Sequence, residues 1–158
     1  MTDTLRVEKH LRTVRFLMDD GAEVRATIFV AWGMDGSISP QAVVNAISDA
    51  GPVVPCEDEA GRFMLLGREA ICGVAVRADD SQSFTDFVVR HPAQVSLRGG
   101  HQITGHLLGE MGLGDRFSDA LRSADPWFRV EKADECYWLR TDRLIWAREE
   151  AQEDGTDS

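Results

Sequence analysis

The stretch Val95-Ser96-Leu97-Arg98-Gly99-Gly100-His101-Gln102-Ile103-Thr104-Gly105-His106-Leu107 reads as two strands folded back around a glycine turn. Apolar residues at alternate positions place one face of each strand in a core, and the glycines supply the turn. The stretch decides the fold because it has a counterpart earlier in the chain. Val7 to Phe16 lines up with Val88 to Leu97, with His10 falling on His91, and after a two-residue deletion Gly21 to Phe29 lines up with Gly100 to Leu108. Past a longer loop in the first copy, Ala46 to Val54 matches Ala120 to Phe128. Leu65 to Ile71 then matches Leu139 to Ile145, which sets Cys72 against Trp146. Three blocks in one order point to an internal repeat.

Both copies follow one plan. After the hairpin comes a helix: Pro40 suits its first turn behind a Ser39 cap, and Ala42, Val43, Ala46 and Ile47 share one face, as do Phe117, Ala120, Leu121 and Ala124. Pro52 or Pro126 ends the helix and opens a strand at Val53-Val54 or Trp127-Phe128. Two further strands follow, near 62–66 and 71–76 in the first copy and near 136–140 and 144–147 in the second. The expected architecture is therefore mainly β with short helices: two tandem five-stranded small barrels, each with one inserted helix, packed pseudo-symmetrically. The repeats span 5–77 and 84–149, with a linker at 78–83 and a disordered acidic tail at 150–158. A unit of about 70 residues is marginal alone, so the copies are expected to pack together or share an edge.

The chain has 158 residues, 27 acidic and 17 basic, for a net charge of −10. The copies themselves are close to neutral, and the excess sits in the linkers and in Glu149, Glu150, Glu153, Asp154 and Asp157. No basic cluster points to a nucleic-acid clamp. The N-terminus lacks the pattern of a secretion signal, and no apolar run approaches the roughly 20 residues that span a bilayer. Cys56, Cys72 and Cys136 are odd in number and show no C-x-x-C spacing, which argues for reduced thiols in a cytoplasmic protein and against a zinc site.

The hairpin from Val95 to Leu107 resembles the opening strands of Sm-like and SH3-like small barrels. The run from Phe117 to Phe128 and from Leu139 to Trp146 is similar to an uncharacterised bacterial domain of that shape. The resemblance implies fold rather than activity. Many Sm-like proteins form rings and bind RNA, but their Asp/Asn-containing nucleotide loop has no match in either copy.

No constellation for catalysis, metal or cofactor emerges. No Ser-His-Asp or Cys-His signature surrounds His10 or His91, and His101 and His106 are spaced to opposite faces of a strand. Glu57-Asp58-Glu59 reads as a solvated hairpin tip, and the Gly112-Leu113-Gly114 and Gly99-Gly100 pairs read as turns. The aromatic residues carry the interaction signal. Trp32 and Met34 stand in the long loop of the first copy, and Trp127, Trp138 and Trp146 cluster in the second, where some must face away from the copy's own core. The expected function is a non-enzymatic cytoplasmic module for protein interaction or assembly, with a protein partner or a second copy bound through a strand edge or the Trp32 loop. The alternative is a single-stranded RNA or DNA binder that stacks bases on these aromatics.

Overall fold

A computed structural model describes residues 9–31, 40–77, 88–124 and 126–150. These form strands β1 (Lys9–Met18), β2 (Glu23–Ala31), β3 (Val53–Glu57), β4 (Phe63–Gly67), β5 (Ile71–Arg77), β6 (Val88–Leu97), β7 (Gln102–Glu110), β8 (Trp127–Lys132), β9 (Glu135–Arg140) and β10 (Leu144–Glu149), with helices α1 (Pro40–Asp49) and α2 (Phe117–Arg122). The protein is mainly β, as expected. Its strands do not close into barrels, however. They form one antiparallel sheet in the order β10-β6-β7-β8-β9-β5-β1-β2-β3-β4, open at both ends among the described residues.

The order β5-β1-β2-β3-β4 of residues 9–77 recurs as β10-β6-β7-β8-β9 in residues 88–149. Details recur with it. β1 meets β5 with Met18 opposite Ile71 and Leu17 opposite Gly73, so Cys72 bulges; β6 meets β10 with Leu97 opposite Leu144 and Ser96 opposite Trp146, so Ile145 bulges. A single 3₁₀ turn, Arg68–Ala70 or Thr141–Arg143, links the last two strands of each half.

These ladders correct the sequence alignment in two places. Lys9 opposite Ala31 and Val88 opposite Glu110 show that both strands of the first hairpin keep one spacing to the second, with no deletion. His10 therefore corresponds to Val89, and His91 to Arg12. Shared histidines mislead here because a strand's register is fixed by its turn and its buried face. Further on, Val53 lies opposite Gly67 and Trp127 opposite Arg140, so the second β3–β4-type hairpin is one residue shorter. Leu66 then corresponds to Leu139, Cys72 to Ile145, and Gly73 to Trp146.

Two cores lie on opposite faces of the shared ladder. One joins Val14, Phe16, Ile28, Val43, Ile47 and Val74 with Cys136 and Trp138 of β9. The other joins Val95, Leu107, Phe128 and Leu139 with Leu17, Cys72 and Ala75 of the first half. β5 and β9 pair along Gly73 to Arg77 and are covered on both sides, so six successive residues, Ile71 to Val76, are buried. Such an unbroken apolar run is the mark of a strand inside a two-faced layer.

Candidate functional site

The joint between the halves shows what each strand edge is built to meet. At Gly73 an added Cβ would stand 2.6 Å from Leu139 Cδ2 and 3.0 Å from the Trp138 carbonyl, so glycine permits the close approach of β9. Ala75 lies between Arg15 and Tyr137 in the ladder and is small enough for Arg15 to reach over it. Arg15 donates to the Tyr137 hydroxyl at 2.7 Å and to both Glu135 oxygens at 2.9 and 3.3 Å, with its guanidinium 5.7 Å from the Tyr137 ring centroid. Its Nε stands 2.8 Å from Glu23 Oε1 in ion-pair contact but off the line of a hydrogen bond. Burial, the largest influence, pulls the Arg15 pKa down, but the hydrogen bond to Glu135 and the charges of Tyr137, Glu135 and Glu23 raise it overall.

A second clasp joins the 3₁₀ turns. Arg143 donates to Glu69 Oε2 at 2.9 Å and to the Glu69 carbonyl at 2.7 Å, while Arg140 reaches the Arg68 carbonyl at 3.1 Å. The Arg143 hydrogen bond, aided by Arg140, lowers the Glu69 carboxyl pKa. The hairpin turns also touch. His101 Nε2 lies 2.7 Å from the Met18 carbonyl, and Gly99, at φ 87°, leaves that carbonyl room that a Cβ would fill at 2.7 Å.

Against this closed joint stand the two ends of the sheet. β4 carries Phe63 at 69% and Leu65 at 54% exposure. Their ladder counterparts on β9 are Cys136 and Trp138, at 8% and 7%, buried in the core of the other half. The difference is the neighbour: β9 pairs with β5, whereas β4 pairs only with β3 among the described residues. Val53 extends the apolar surface of this hairpin. At the other end β10 presents Ile145, 60% exposed, at the place of the buried Cys72.

No family, curated protein or solved structure matches the chain.

Trp32 and Met34 lie outside the described residues. Trp138 belongs to the joint and not to a free surface; Arg129 lies over its ring at 5.3 Å, and its buried Nε1 has no hydrogen-bond partner among the described residues. Trp127 is half-buried beside it, against the same core. Trp146 is the one of the three on an open edge, half-buried under Arg148 at 4.8 Å. Of these aromatic residues Trp138 thus lies in the joint and Trp146 on an outer strand, while the exposed apolar residues Phe63, Leu65 and Ile145 are not among those singled out in the sequence. The pattern Phe63-Met64-Leu65-Leu66 held the clue: four apolar residues in a row do not alternate as a half-buried strand should.

Among the described residues no three His, Cys, Asp or Glu side chains gather as metal ligands. His91 Nε2 donates a hydrogen bond to the Gly114 carbonyl at 3.0 Å at the foot of the β7 loop, and its Nδ1 lies 3.6 Å from Glu149 Oε2, an acid far away in sequence. Asp58 accepts hydrogen bonds from the backbone of Arg62 and Ala60 and from the Arg62 guanidinium; the first of these does most to lower its pKa and locks the hairpin tip.

Proposed function

We propose that the chain is a non-enzymatic cytoplasmic assembly module, built as a tandem duplication, over 5–77 and 84–149, of a five-stranded unit that is related to Sm-like or SH3-like small barrels but opened into a shared sheet, and that it binds a protein partner by strand addition. The recurring strand order, the matched bulges and the matched 3₁₀ turns support the duplication. One observation carries the interaction: Phe63 and Leu65 lie open at positions whose counterparts, Cys136 and Trp138, are buried by an adjoining module. An apolar unpaired edge is a template for another strand, and soluble proteins ordinarily blunt such edges with charge or proline. β4 has neither. The buried free thiols of Cys56, Cys72 and Cys136 suit a reducing compartment.

The test is in-cell photo-crosslinking with a benzophenone side chain in place of Leu65, and separately of the exposed Glu59 as a control. Protein adducts from position 65, absent from position 59, are expected. Absence of protein adducts from position 65, or adducts to nucleic acid alone, overturns the reading.

A further inference from the structure

Resting on that reading and naming its partner, we propose that β4 of one copy pairs with β10 of a second copy of this chain, so that copies join head to tail. The joint inside the molecule supplies the pattern. β9 pairs with β5, β4 corresponds to β9, and β10 corresponds to β5. Among the described residues the two outer edges are thus the two sides of one joint, each without its mate.

The cores carry the same message from the other side. In the first half Val43, Ile47, Ile71 and Val74 are fully buried, in one cluster with Cys136 and Trp138 delivered by β9. Their counterparts in the second half, Phe117, Leu121, Leu144 and Ala147, are only half-buried. What the second core lacks is the incoming pair that the first receives. Phe63 and Leu65 of a neighbouring copy are that pair, apolar and exposed at the corresponding positions. Burial of both surfaces together drives the contact.

Carried over in register, the joint sets Ala147 opposite Leu65, Trp146 opposite Leu66, and Glu150 opposite Arg62. The last pair repeats Arg77 opposite Glu135 with the signs exchanged. Three positions on β10 depart most from the inner joint: Trp146 replaces Gly73, so the Leu66 side chain must turn aside, Arg148 replaces the small Ala75, and Glu149 replaces Val76. These make the joint between copies weaker than the inner one and its formation dependent on concentration. Repetition of one heterologous contact yields a ring if the rotation closes and a filament if it does not.

Sedimentation velocity on the full chain tests this. The wild type is expected to gain mass with concentration. Leu65→Arg and Ile145→Arg should each lower the self-association constant by at least about a hundredfold, the scale of an unpaired charge pressed into an apolar contact. Mixed together, these two variants should form a one-to-one dimer, since each retains the edge the other has lost. Both sites are exposed, so the fold survives, and far-UV circular dichroism verifies it; Phe63→Arg substitutes if Leu65→Arg does not fold. A wild type that stays monomeric to about 0.5 mM overturns the proposal, as does an Ile145→Arg chain that still dimerises, the mark of β4 pairing with β4. If adducts to a different protein persist at position 65 while the purified chain is monomeric, the partner assignment fails and the strand-addition reading stands.

Discussion

Cys136 sits where β9 enters the first core, and burial, the dominant cause, pushes its thiol pKa up to about 11. The Cys56 and Cys72 thiols are raised for the same reason. A thiol is nucleophilic as thiolate, so all three should resist maleimide at pH 8 in the native protein and react within minutes in denaturant. The sign of the pH dependence follows. Unfolded cysteine ionises near 8.5, below the folded value of Cys136, so the stabilisation is complete below pH 8 and falls as pH rises through about 11. A urea titration at pH 8 and pH 10 should show the lower midpoint at pH 10, to a lesser degree in Cys136→Ser. At Trp138, truncation to Ala should cost about 3–5 kcal/mol, as for other large buried aromatics. Trp138→Phe should cost less, because it leaves a six-membered aromatic ring in the core and removes an indole N–H that finds no partner among the described residues.

Elements meet through Arg15, which crosses β5 to reach β9. Arg15→Ala should destabilise the chain by about 1–2 kcal/mol, as expected for charge-assisted hydrogen bonds with partial exposure. Combined with Glu135→Ala, its effect should be less than additive, and chemical denaturation of the four chains in the cycle measures this. Each strand and both helices were legible from period and punctuation, down to Pro52 and Pro126 ahead of the third strand. The pairing of β5 with β9 was not, because alternation tells which face of a strand is buried and says nothing of which distant strand lies beside it. The residues that could have told were those breaking the alternation: Ile71 to Val76 for the inner joint, Phe63 to Leu66 for the open edge. Aligning His10 with His91 obscured the register, since neither histidine sets it.

At the scale of the whole molecule, each core borrows from the other half, Cys136 and Trp138 in one direction and Leu17, Cys72 and Ala75 in the other. Unfolding should therefore be a single transition, with tryptophan fluorescence and far-UV dichroism superimposing. Two separate transitions would mean that the halves are energetically independent. The same borrowing has a consequence during synthesis. When Arg77 leaves the ribosome, β5 is finished but its mate β9 does not exist, and the first core stays without its last two side chains until Leu139 has been made. At roughly 5–20 residues per second that interval is on the order of several seconds. Throughout it the nascent chain displays β5, paired with β1 along one side, as an open apolar edge along the other, so the early half of this protein depends on its own later half, or on a chaperone holding that place, to mature.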